Sequence, residues 1–248
     1  AVAVDPKDHE LPGILALFLY LLGVVEVADE FRERVLTLSP TSTIAYELDI
    51  ARARATGDQA ASIAAARRAV TDDIEDRRFA FGGAIQYLIR TAVGEGRIDE
   101  ELAWIESQHP GIFDVDAAQV TAKFRNAQGT AFDGWVAALP REEVIRRLDV
   151  MLAYAESIGV DPIDDPNAHI AVLVLRGQVD EAIEVALNEV FTRPVAMNLN
   201  WRDTLLQPQY TELVTDARVQ EAMQRWEDEE QALRGSVAAY FADMHASR

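Results

Sequence analysis

Two kinds of helix punctuation recur along this chain with one spacing. Asp5-Pro6 and Ser39-Pro40 each follow a run of helix-forming or apolar residues, and the two prolines are 34 residues apart. Gly23 and Gly57 each sit at a break between two helical runs, and they are also 34 residues apart. Proline cannot continue a helix, and glycine supplies the backbone conformation that ends one. Two independent markers with one period specify a succession of short helices in pairs, each pair packing on its neighbours in sequence. The expected fold class is therefore all-α.

The expected pairs are 10–22 with 24–38, 41–56 with 58–72, and 77–93 with 97–108, the last turning at Gly94-Glu95-Gly96. Ala, Leu, Glu, Arg and Gln are plentiful, and no long alternation of β-branched residues reads as a strand. Helical signal from 114 to 138 is interrupted at Gly129 and Gly134. Pro140 then opens an amphipathic helix over Arg141–Ile158, at the position where its missing N–H costs nothing. A loop follows at 161–166, then a pair at 167–176 and 178–191. A long closing helix is expected from Asp216, a good N-cap, toward Met244, with Gly235 as a candidate kink. The expected organisation is one array over 1–248. Residues 1–6 close a preceding repeat, 10–110 hold regular repeats, 111–166 an irregular one, 167–192 another pair, and 193–248 a C-terminal cap. That reading makes the chain the C-terminal part of a longer protein.

Charge removes several function classes. The chain carries 42 acidic and 23 basic residues, a formal net charge of −19. A duplex-binding surface needs basic side chains to replace counterions on phosphate, so nucleic acid and anionic membrane are not expected partners. There is no cysteine, hence no disulfide and no thiolate metal site. The most apolar stretch, Leu11 to Val25, is 15 residues long, whereas a membrane span needs roughly 20. It reads as a buried helix, and no membrane insertion is expected. A cytoplasmic location is expected.

No reaction chemistry is written plainly in the residues. The four histidines, His9, His109, His169 and His245, are too far apart in sequence to make a helical metal pair. His169 falls on the packing face of its helix, and the other three are expected to face solvent. No nucleophile elbow, phosphate-binding loop or dinucleotide fingerprint occurs. Asp161, Asp164 and Asp165 offer oxygen ligands but lack the spacing of a calcium loop, and they read as a solvated capping loop. The chain is expected to need no cofactor or metal, and to be no enzyme.

The spacing resembles the tetratricopeptide repeat family. The clearest copy runs from His169 to Leu187, with Gly177-Gln-Val-Asp-Glu-Ala182-Ile matching the family's turn, G-x-x-x-E-A-I. The first copy is similar at Leu15, Ala16, Gly23, Ala28, Val35 and Pro40, and the second at Tyr46, Gly57, Ala66 and Ala69. The third has Leu88, Gly96 and Leu102, but Glu101 stands where a small residue is usual. The resemblance implies an α-solenoid, a right-handed superhelix of antiparallel helix pairs with a capping helix. The tail, Trp201-Arg-Asp and then Asp216-Ala-Arg-Val-Gln-Glu-Ala, resembles the end of bacterial multi-domain proteins in which such an array follows a winged-helix regulator or a nucleotide cyclase. It lacks the proline and aromatic residue of that pattern, D-P-R-F-Q-A-L.

In this family the first helix of each pair lines a concave groove. The family register places Gly13, Leu17 and Tyr20 there from the first pair. It places Glu47, Ala51 and Arg54 from the second, and Gln86 and Arg90 from the third. Receptors of this family that hold a peptide carboxylate use Lys and Asn at such positions, where this chain has Gly13 and Leu17. The expected function is a protein-interaction scaffold with a protein or peptide partner. Two alternatives stay open: a sensory domain for a peptide or small ligand, and an enzyme with a site in the irregular stretch 110–165. Leu17, Phe18, Leu19 and Tyr20 have a second reading, in which 11–25 packs on a preceding repeat or on another copy of the chain.

Overall fold

A computed structural model describes residues 8–72, 80–114, 132, 134–157, 159, 166–195, 205 and 207–246, with 80, 81 and 245 given by backbone alone. All regular structure among them is helical. The first three pairs are α1 (Glu10–Leu21) with α2 (Val25–Leu38), α3 (Thr43–Ala55) with α4 (Gln59–Thr71), and α5 (Ala80–Glu95) with α6 (Ile98–Gln108).

The glycines end the first helix of each pair by one device. Gly23 has φ +71° and Gly57 φ +73°. Gly23 N–H donates to the Tyr20 carbonyl and Val24 N–H to the Leu19 carbonyl, at 3.0 and 2.9 Å. Gly57 and Asp58 repeat this on Arg54 and Ala53, again at 3.0 and 2.9 Å. This double bond pattern closes a helix on a left-handed residue, which glycine adopts without the steric cost a Cβ brings. Gly96 and Gly177 carry the same pattern. In the third pair α5 continues through Gly94 and Glu95, so the expected turn at 94–96 contracts to Gly96. One left-handed residue is enough to end the helix.

The chain divides into two compact units, Ala1–Leu139 and Pro140–Arg248. In the first, α1 packs on α2 and α3, α3 on α4 and α5, α4 on α5, and α5 on α6. Thus α3 lies between α1 and α5. Its core contains Ala65, Ala66 and Ala69 of α4 and Ala84 of α5, filled out by Ile50, Ile85, Leu88, Ile89 and Ile105. Small side chains let the helix axes approach, and the branched ones fill the space between turns. The tightest approach is at Gly13 of α1, where a Cβ would lie 2.4 Å from Cδ1 of Ile44 on α3. Trp135 is buried, and its indole N–H donates to the Phe113 carbonyl at 2.7 Å.

The second unit holds α7 (Arg141–Ser157), α8 (Pro166–Arg176), α9 (Val179–Val185), α10 (Thr211–Thr215) and α11 (Ala217–Ala246). Between α9 and the turn at 191–192 the chain widens into a π-turn over Ala186–Val190. Here the core is bulky. Trp226 of α11 meets Phe191 edge to face with ring centroids 4.9 Å apart, beside buried Tyr210, Leu205 and Leu213. Arg141 donates through Nε to the Leu175 carbonyl at 2.8 Å, meeting an acceptor that the end of α8 leaves open. Asp216 accepts from the Arg218 and Val219 N–H groups and so starts α11. That helix runs without a break through Gly235.

Several expectations fall on undescribed ground. Asp5-Pro6, Gly129, the loop 161–165 with its three aspartates, and Trp201 to Asp203 lie outside the described residues. So does most of the expected irregular repeat between 115 and 131. Among the described residues no helix is long and apolar enough to cross a membrane. The stretch Leu11–Val25, expected as a buried helix, breaks at Gly23 where the spacing placed a turn, and it is not buried throughout. Among the described residues α1 packs chiefly on α2 and α3, and Leu11 is 52% and Ile14 60% exposed.

Candidate functional site

The residues around α3 show which way each of its faces points. Ile44 meets α1 at Gly13. Arg52 reaches Asp29 of α2 through Nε at 2.8 Å. Asp49 takes Arg32 of α2 at 2.5 Å and Arg68 of α4 at 2.8 Å. Tyr46 Oη donates to Asp72, just after α4, at 2.8 Å. Ile50 enters the core with α5. What remains is the strip Glu47, Ala51 and Arg54, spaced i, i+4 and i+7 and therefore on one side of the helix.

That strip carries mixed chemistry. The Arg54 guanidinium lies over the Tyr87 ring of α5, 5.6 Å from its centroid, a cation–π contact that ties two neighbouring first helices together. Glu47 is half-buried and has no hydrogen bond or ion pair among the described residues. Removal from water pushes its carboxyl above the usual range, since burial disfavours the charged form. On α5, Gln86, Tyr87 and Arg90 are half-buried, and Gly83 is exposed with open space above it. On α1, Leu17 is half-buried.

Two of the expected groove residues are placed otherwise. Tyr20 is only 3% exposed, and its hydroxyl donates to Asp29 at 2.5 Å. Burial and that carboxylate push the phenol well above its usual range. Tyr20 therefore joins α1 to α2 and, through the shared Asp29, to Arg52 of α3. Gly13 is buried under Ile44 and offers no surface. Leu19 is likewise internal, whereas Leu17 and Phe18 are half-buried. Tyr87 is the face residue that the register missed. It follows Gln86 directly, and its ring position depends on Arg54 from another helix.

On the far side of the pairs the same unit is laced by buried or half-buried charge. Glu101, the residue that breaks the family pattern, is 2% exposed and takes Arg67 Nη2 of α4 at 2.7 Å. Arg67 also lies over the Trp104 ring at 4.8 Å. A buried carboxylate is tolerated only when charge and hydrogen bonds meet it, and Arg67 supplies both.

Among the described residues the histidines do not come together. His9 and His109 are half-buried rather than solvent-facing, and His169 is half-buried on its helix. The side chain of His245 lies outside the described residues. The His109 ring nitrogen is 2.8 Å from the Val70 carbonyl, which gives it a role at the end of α4. No group of three or more potential metal ligands occurs among the described residues. The chain matches no protein-family model, no curated protein and no solved structure.

Proposed function

We propose that this chain is an α-solenoid of tetratricopeptide type that acts as a protein-interaction scaffold, with the strip on α1, α3 and α5 as its binding face. The observation that carries the reading is the placement of α3 between α1 and α5, with Leu17, Glu47, Arg54, Gln86 and Arg90 carried on those three helices. Each of these helices is the first of its pair and ends in a glycine-closed turn of one geometry. Such a face suits an extended peptide or an amphipathic helix, which needs a row of side chains rather than a closed pocket. The acidic surface favours a partner that is basic or neutral.

The test is affinity capture with the full chain and with a Leu17→Asp/Arg54→Glu variant whose helical circular dichroism matches it. A discrete partner held by the first and lost by the second supports the reading. A partner held equally by both, or steady turnover of a small substrate by the purified chain, overturns it.

A further inference from the structure

We infer that the face on α1, α3 and α5 selects a basic peptide, seating a lysine or arginine side chain of the partner on the Glu47 carboxylate. The inference rests on the binding face proposed above and specifies its ligand chemistry.

Three observations carry it. First, the other half-buried charges of α2, α3 and α4, with Asp72 after α4, are matched among the described residues. Asp29 holds Arg52, Asp49 holds Arg32 and Arg68, and Glu101 holds Arg67. Tyr46 satisfies Asp72. Glu47 is the half-buried carboxylate of α3 that no cation of the described residues meets. Second, the cation nearest in register, Arg54, lies two helical turns along α3 and is held over the Tyr87 ring. It is drawn toward α5 rather than back to Glu47. Third, Leu17 on α1 and Ala51, one turn from Glu47, are half-buried and apolar. Apolar groups of this kind cover the aliphatic stem of a lysine or arginine while its head meets a carboxylate. A charge-assisted hydrogen bond to a carboxylate already stripped of part of its water is stronger than one on an open surface.

The alternative charge complement is an acidic peptide drawn to Arg54 and Arg90. It is disfavoured by the contact that Arg54 already makes, and by the net charge of −19 that an acidic ligand would have to approach.

The experiment measures fluorescence anisotropy of two labelled twelve-residue peptides on the full chain, one of lysine and leucine, the other of glutamate and leucine. Wild type, Glu47→Gln, Glu47→Lys, Arg54→Gln and Glu33→Gln are compared. Glu33 is exposed on α2, a helix that carries none of the face residues, and controls for the loss of one negative charge. The expected result is that the lysine peptide binds wild type and Glu33→Gln alike and binds Glu47→Gln about tenfold more weakly. Glu47→Lys should reverse the preference toward the glutamate peptide. Equal weakening by Glu47→Gln and Glu33→Gln would mean diffuse attraction and would overturn the inference. Binding of the glutamate peptide to wild type, weakened by Arg54→Gln, would also overturn it while upholding the face as a binding surface. Failure of wild type to bind the lysine peptide overturns it outright.

Discussion

The two units solve the same packing problem with different materials. The first brings helices together over alanine and then sets their alignment with polar bonds between neighbouring helices, as in the Arg32–Asp49–Arg68 and Tyr20–Asp29–Arg52 groups. The second fills its centre with Trp226, Phe191 and Tyr210, and among the described residues the pairs Arg176–Asp149 and Arg218–Glu184 lie at its surface. An alanine-lined contact is close but smooth, and several registers of one helix past another bury similar area. Directional hydrogen bonds select one of them. A bulky aromatic core specifies its own geometry through shape, so its surface charges need do little.

If the comparison holds, the largest loss of stability comes from removing bulk in the second unit. Trp226→Ala should cost about 3–5 kcal/mol, seen as a lower midpoint in urea unfolding with the slope little changed. A loss below about 1 kcal/mol would show that Trp226 is peripheral. In the first unit the sensitive element is charge. Arg67→Met keeps much of the packing over Trp104 but leaves Glu101 buried without its cation. It should cost about 1–3 kcal/mol, and the double variant Arg67→Met/Glu101→Gln should recover part of that loss in a double-mutant cycle. If the second change adds a further full penalty, the pair is not coupled and the contrast between the units fails.

The smallest expected effect has the opposite sign. Glu47 is desolvated without a partner, so its folded-state pKa lies above its unfolded value. Its contribution is favourable while protonated and is lost as pH rises through the folded pKa. Glu47→Gln should therefore raise the thermal midpoint slightly at neutral pH, with the gain fading in acid. Asp29 is the reverse case, because Arg52 and the Tyr20 hydroxyl hold its carboxyl below the usual range. Its contribution is present above the unfolded pKa and is lost as pH falls through the folded one. A neutral-pH destabilisation by Glu47→Gln would contradict the absence of a partner and with it the basis for placing a ligand cation there. A residue that lowers stability where the surface is open fits a site that trades stability for binding.

Much of the candidate face could be read in advance because it depends on local rules. Glu47, Ala51 and Arg54 share a side of α3 by helical spacing alone, and a glycine at the end of a helix announces its own turn. Tyr20 shows where such rules stop. Spacing places it near the face, but a phenol with a carboxylate in reach is drawn inward, and Asp29 belongs to the next helix. Glu101 shows the same limit. It breaks the repeat pattern by itself and is explained only by Arg67, 34 residues earlier. The π-turn at 186–190 has no local signature in Ala-Leu-Asn-Glu-Val, which are ordinary helix residues.

By itself the sequence determined the helices of the first three pairs and α7, α8, α9 and α11, their order, and the turns at Gly23, Gly57, Gly96 and Gly177. These follow from backbone preference and from the 3.6-residue period, which act over a few residues at a time. Only the tertiary structure decided which charges are spent in holding neighbouring helices, and that the half-buried Glu47 of α3 meets no cation among the described residues. Pairing depends on side chains that approach from other helices, and a distance across a packed interface has no counterpart along the chain.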